Sequence, residues 1–242
     1  MINLRRSFDV YYRDAARTAR MDALNGQFIR PGACAFDIGA HVGDRTGSFL
    51  RLGARVVALE PQPKVFRALR LIHGRHPNAV LIRSAIGAGP GDLQLYVNSA
   101  NPTVSTAHRP LIEAAPMTPS WQDQLWDTEI TVPVTTLDAL IATHGTPDFV
   151  KLDVEGFEHE ALRGLSRPIP ALSFEVTTLQ RAVGLACLDR LAALGHYRFN
   201  ISLGEDHRLR HAEWMTHDAT RAALSALPDA ANSGDVFARL QT

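Results

Sequence analysis

The sequence predicts an α/β fold with a mostly parallel, doubly wound sheet and an antiparallel pair at its C-terminal end. Three observations carry that prediction. Short apolar runs alternate with amphipathic stretches between residues 33 and 194, the pattern of βαβ units whose helices cover both faces of a parallel sheet. The first run ends in a glycine-punctuated turn, Asp37-Ile38-Gly39-Ala40-His41-Val42-Gly43, that opens onto a helix. The last two apolar runs, Tyr197 to Leu203 and Asp235 to Leu240, read as a closing antiparallel pair, a common addition at a sheet edge.

Taken in order, Phe8, Tyr11, Tyr12, Ala15, Ala19 and Leu24 recur at roughly helical spacing from Ser7 to about Gly26. Residues 1–32 are therefore an entry helix, closed by Pro31-Gly32, and residues 33–242 are the domain proper. Parallel strands are expected at Ala33 to Ile38, Arg55 to Leu59, Ala79 to Ile86, Phe149 to Val154 and Ala171 to Val176. Helices are expected at Arg45 to Leu52, Lys64 to His73, Glu158 to Leu165 and Leu179 to Leu194. With the closing pair, the sheet has seven strands.

Composition sets aside several classes. Among 242 residues, 45% are apolar and 21% charged, and 25 basic side chains balance 25 acidic ones. Such a chain folds to an ordinary globule and has no global field to draw it to nucleic acid or an anionic membrane surface. No run reaches the roughly 18 apolar residues of a membrane span, and Met1 to Gln27 is too charged for a secretory signal, so a cytoplasmic location is expected. Cys34 and Cys187 fall in core-like patterns and are expected as free thiols.

An isolated Gly39-x-x-x-Gly43 turn would be unremarkable, yet the second strand ends in Glu60-Pro61. That is close to the roughly 20-residue spacing at which an acid accepts hydrogen bonds from ribose hydroxyls. A dinucleotide fingerprint needs glycine in the middle of the turn to approach a pyrophosphate, and this chain has His41 there. S-adenosylmethionine carries no phosphate and suits a looser turn, with Asp37 as the acid near its ammonium.

The motifs Phe36 to Thr46, Val57-Ala58-Leu59-Glu60-Pro61, Ser84-Ala85-Ile86-Gly87, Thr136-Leu137-Asp138 and Val150 to Glu158 resemble those of the FkbM-type methyltransferase family across nearly the whole chain. The resemblance implies a class I, Rossmann-like methyltransferase fold, S-adenosylmethionine as donor and O-methylation of small molecules or glycans. It implies that Asp37, Gly39, Gly43 and Glu60 bind the donor, with Ala40, His41 and Thr46 in the same turn and helix start. Ser84, Ala85 and Ile86 would wall the adenine. Position 41 is more often asparagine in family members.

On the fourth strand, two-residue periodicity puts Phe149, Lys151 and Asp153 on one face. Lys151 and Lys64 are the only lysines in an arginine-rich chain, and a lysine in a central strand needs a partner. One reading makes Lys151 and Asp153 a purely architectural pair. The other gathers Asp37, Lys151, Asp153, Glu155 and Glu175 around a cleft where Asp153 or Glu155 takes the acceptor's proton. His159 is a further candidate base, whereas Glu158 and Glu160 suit the first turn of a helix. His207, His211 and His217 show no metal-site spacing and are expected at the surface, so no metal site is predicted. Two alternatives remain open: Asp153 holding Mg²⁺ against the acceptor oxygens, and a non-catalytic donor-binding module.

Asn98 to Glu129 breaks the strand-helix rhythm with Pro102, Pro110, Pro116 and Pro119 beside Leu125, Trp121 and Trp126. A segment that long without periodicity is functional or disordered, and its aromatics favour docking. It is expected either as a loop closing on the acceptor or as a static excursion packed on the body.

Overall fold

The computed structural model describes residues 4–118 and 121–241; Pro119 of the proline-rich segment lies outside the described residues. A seven-stranded sheet forms the centre, ordered β3-β2-β1-β7-β8-β10-β9. Its members are β1 (Cys34–Ile38), β2 (Arg55–Leu59), β3 (Ala79–Ile82), β7 (Phe149–Leu152), β8 (Ala171–Thr177), β9 (Tyr197–Leu203) and β10 (Ser233–Leu240). The first five pair in parallel, and β10 and β9 join antiparallel, as the sequence predicts.

Helices α3 (Asp44–Arg51), α4 (Pro63–His73), α6 (Leu137–His144), α7 (Glu158–Arg163) and α8 (Arg181–Leu194) follow strands of the sheets, and α9 (His217–Ser225) lies between β9 and β10. Alternate strand residues feed two cores. Phe36, Ile38, Val57, Leu59, Val150 and Leu152 join one, while Ala35, Val56, Ala58 and Phe149 join the other. The face of β7 that bears Phe149 also carries Lys151, which shares a small cavity with Phe149, Phe237, Asp235 and His207.

Four expectations are corrected. The entry helix is two helices, α1 (Arg5–Tyr12) and α2 (Ala15–Asn25), because the Asp14 side chain accepts the Arg17 N–H and starts a new one. The run Ala79 to Ile86 breaks after Ile82: β4 (Ala85–Ile86) leaves the main sheet to pair with β6 (Thr128–Thr135). With β5 (Gly91–Val97), these strands make a second, three-stranded sheet. The proline-rich segment contains a helix, α5 (Arg109–Ala114). His207 is 5% exposed rather than at the surface.

Candidate active site

Strand order reverses between β1 and β7, and ligand crevices in doubly wound sheets open at the carboxyl ends flanking such a switch. The chain is drawn tight there. The N–H groups of Gly39 and Ala40 both donate to the Leu59 carbonyl, and the Asp153 N–H donates to the Ile38 carbonyl. Gly39 has φ +86°, and a Cβ at that position would collide with the Asp153 carbonyl oxygen. Glycine is required because the backbones of two strand ends touch.

Above this crossing lies a cleft walled by Asp37, Gly39, Ala40, His41, Glu60, Ser84, Ala85, Ile86, Asp153 and Glu155, among others. Gly43 and Thr46 stand behind the wall. Gly43 takes φ +89° and packs against Leu69 and His73 of α4. Thr46 is fully buried and donates its hydroxyl to Asp37 Oδ2 at 2.5 Å. Ser84 spends its hydroxyl on the carbonyls of Ala85 and Pro133, so only its surface faces the cleft.

Burial shapes the charges. It pushes the Asp37 carboxyl up to about 6 and that of Glu60 up to about 7, although the N–H groups of Gln62 and His41 donate to the Glu60 oxygens at 2.8 and 3.0 Å. Burial holds His41 down to about 4. The His41 backbone is left-handed, with φ 48°, and both of its ring nitrogens are buried without a hydrogen-bond partner.

At the other end of the cleft, Glu155 is 8% exposed and burial raises its carboxyl well above the ordinary range. Glu158, in the first turn of α7, accepts the N–H groups of Val154 and Gly156 and so shapes the turn that presents Glu155. Carboxylate oxygens of Asp153, Glu155 and Glu175 lie within 4.8 Å of one another, a spacing that would accept a divalent cation.

Lys151 does not line the cleft. It stands behind, with Nζ 3.2 Å from Asp153 Oδ2 and 2.6 Å from Asp235 Oδ1. Burial opposes its charge, but these carboxylates hold the ammonium pKa above its ordinary value. His159 is also outside the cleft, half-exposed beside Glu160.

Sequence reasoning missed several wall residues: Tyr11, Arg45, Gln62, Leu93, Leu95, Ser105 and Glu205. Gln62 directly follows the Glu60-Pro61 signature and was within reach of the motif. Arg45 lies inside the Phe36 to Thr46 motif and was equally within reach, whereas the others arrive from distant segments. Thr103, Ser105 and Ala107 bring the proline-rich segment to the cleft, fixed where the Thr106 hydroxyl donates to the Glu155 carbonyl at 2.6 Å. Its tryptophans are absent from the wall; Trp121 is 7% exposed and donates Nε1–H to Asn232.

The donor fits these residues. Six lining carboxylates, on Asp37, Asp44, Glu60, Asp153, Glu155 and Glu205, face one lining arginine, Arg45. That acidic balance suits S-adenosylmethionine, whose sulfonium and ammonium outweigh its carboxylate.

No curated protein sequence matches the chain. Solved structures with a similar course include a TehB-like SAM-dependent methyltransferase from Corynebacterium glutamicum, at 11% identity, covering 98% of this chain and 94% of that one with TM-score 0.49. Another is precorrin-6y C5,15-methyltransferase from Geobacter metallireducens, at 13% identity, 94% and 90% coverage and TM-score 0.47. A third is Aeropyrum pernix fibrillarin with natively bound S-adenosyl-L-methionine, at 11% identity, 94% and 75% coverage and TM-score 0.46. Assignment rests on the model of the methyltransferase FkbM domain, which matches residues 37–227. The chain belongs to the FkbM methyltransferase family, an enzyme that takes S-adenosylmethionine as its methyl donor.

Proposed function

We propose that the chain methylates a hydroxyl oxygen of a small molecule or glycan, with Asp153 as general base. The observation that carries this reading is the placement of Asp153: its carboxylate opens into the cleft at the end of β7 while buried Lys151 holds one oxygen from behind. Bound in the cleft, the donor supplies an electrophilic methyl group. Asp153 accepts the hydroxyl proton as the oxygen bonds to the methyl carbon and the carbon–sulfur bond breaks, leaving neutral S-adenosylhomocysteine; the proton transfer contributes about 10² to 10⁴-fold. Glu155 stands beside it to orient the acceptor. The apolar wall of Leu93, Leu95, Ala107 and Phe157 gives a nonpolar acceptor face a place to pack. The acidic lining disfavours a polyphosphate acceptor.

In this reading Asp37, Gly39, Ala40, His41 and Glu60 contact the donor, Ser84 to Ile86 wall its adenine, and Gly43 and Thr46 hold that frame. Lys151 positions Asp153, and His159 takes no part. Residues 103–107 form the acceptor-facing part of the long loop.

The test is transfer of label from donor to fractionated metabolites and glycans. Asp153→Asn should lower the transfer rate at least a hundredfold, the low end of general-base effects, while S-adenosylhomocysteine affinity is kept. Equal loss of both would make Asp153 architectural, and absence of any transfer would leave a binding module. A metal-assisted reading is favoured by one observation, the buried and unpartnered Oε2 of Glu175 beside Asp153 and Glu155. Activity that vanishes with a chelator and returns with Mg²⁺ would replace the general-base reading by that one.

A further inference from the structure

At the end of the cleft away from Glu155, four segments meet: α1 through Tyr11, the turn after β1 through His41, the start of α3 through Asp44 and Arg45, and the loop after β9 through Glu205. Arg17 of α2 sits behind them, only 4% exposed. It pairs with Asp44 Oδ2 at 2.9 Å and Glu205 Oε2 at 2.6 Å, so both carboxylates already have a partner outside the cleft. Arg45 donates Nη1–H to Asp44 Oδ2 at 3.1 Å, while its Nη2 is 3.9 Å from Glu205 Oε2, beyond hydrogen-bond reach. Among the described residues, nothing accepts Nε–H or the Nη2 hydrogens at bonding distance.

This is an incomplete site. A guanidinium presents donors in a fork suited to a carboxylate and stays charged throughout the working pH range. His41 stands on the same wall with both ring nitrogens buried and unpartnered, and the Tyr11 ring meets its imidazole edge-on at 6.0 Å. Orphaned polar atoms of that kind need a partner. The free Nε–H and Nη2 donors of Arg45, an orphaned imidazole and two neighbouring carboxylates suit a group that carries an ammonium and a carboxylate on one carbon.

We propose that Arg45, with His41 beside it and Tyr11 as cover, is the subsite for the carboxylate of the donor's amino-acid tail. The inference rests on the reading that this cleft holds S-adenosylmethionine. Arg45 is the one lysine or arginine on the wall, and the donor has one carboxylate. Arg45 thereby fixes the end of the tail opposite the adenosine and sets the direction in which the sulfonium methyl points. It is a donor-positioning residue, and α1 belongs to the binding site rather than to an inert entry segment.

Calorimetric titration of the whole chain with S-adenosylmethionine and with its decarboxylated analogue tests this. Wild type should prefer the intact donor roughly tenfold or more, the scale of a charged hydrogen bond. Arg45→Met should abolish the preference by weakening the intact donor alone, and Arg45→Lys should restore part of it. Equal wild-type affinity for the two ligands overturns the proposal without recourse to any variant. So does an Arg45→Met variant that loses affinity for both alike, or one that binds donor normally but loses an acidic acceptor. Wild type that binds neither ligand instead overturns the assignment of the cleft to the donor, a distinguishable failure.

Discussion

The ammonium of Lys151 is buried 2.6 Å from the carboxylate of Asp235, which joins the parallel half of the sheet to β10, the inner strand of its antiparallel pair. Lys151 is 3% exposed and Asp235 9%, so neither charge has water to replace the other. Lys151→Met should therefore destabilise the chain by about 3 to 5 kcal/mol, the cost of a buried charge left alone. Adding Asp235→Asn should recover part of the loss. Urea denaturation of both variants measures it, and an unchanged midpoint in the single variant would show that the pair holds nothing.

Glu60 links pH to both stability and donor binding. Its carboxyl is raised by burial from 4.5 to about 7, so between those values the folded chain retains a proton that the unfolded chain has released. Stability of the unliganded protein therefore falls as pH rises through that window; Asp37, raised to about 6, acts with the same sign. Donor hydroxyls favour the ionised carboxylate, so S-adenosylhomocysteine affinity should rise over the same window. Glu60→Gln should flatten both trends and weaken donor binding by roughly tenfold or more. Parallel profiles for wild type and variant would remove Glu60 from the donor site.

Gly39→Ala tests the crossing of β1 and β7. The new methyl would strike the Asp153 carbonyl oxygen in a backbone that already has φ +86°. Separating the strand ends should cost at least about 1 to 3 kcal/mol and weaken donor binding, because Gly39 and Asp153 wall the same cleft. A variant with native melting temperature and native donor affinity would mean that the crevice tolerates separation. Gly89→Ala, where a Cβ meets nothing within 4 Å, is the matched control.

These residues also show which parts of the chain were legible. Asp37 to Gly43 and Glu60 could be read because one turn and one strand end place their chemistry within a few consecutive positions. The β5–β6 sheet was missed although Leu93, Leu95 and Val97 alternate, because Pro133 interrupts the partner strand and a run with no partner in view reads as loop. The break after Ile82 was invisible for a different reason. Ala79 to Ile86 is apolar on both sides of Arg83-Ser84, and only pairing with β6 shows that the chain leaves the main sheet at that polar pair. Tyr11, Arg45 and Glu205 meet at the cleft from segments that local periodicity cannot relate. The burial of His207 is long-range in the same way, since it lines a small cavity with Leu24, Asn25, Phe149 and Lys151.

Trp121 decides how the long segment is anchored. Its ring forms a small core with Leu111 and Ala115, against which Val104, Trp126 and Leu179 pack, and its Nε1–H donates to Asn232 Oδ1 at 3.1 Å. Trp126 donates Nε1–H to the Val104 carbonyl at 2.8 Å, which braces the stretch that carries Thr103, Ser105 and Ala107 to the cleft. The tryptophans are thus placed to hold the loop on the body, and its acceptor-facing surface is the stretch they brace. Trp121→Ala removes a buried ring and orphans a hydrogen bond, so it should cost about 3 to 5 kcal/mol and lower the melting temperature by several degrees. Ser105→Ala removes a hydroxyl that donates to Gln62 Oε1 and accepts the Asn98 N–H, so it should cost about 1 to 3 kcal/mol, less than loss of the Trp121 ring, while altering the acceptor Michaelis constant. A Trp121→Ala variant with native stability and a raised acceptor Michaelis constant would reverse these roles, making the tryptophan the moving contact and the 103–107 stretch the fixed one.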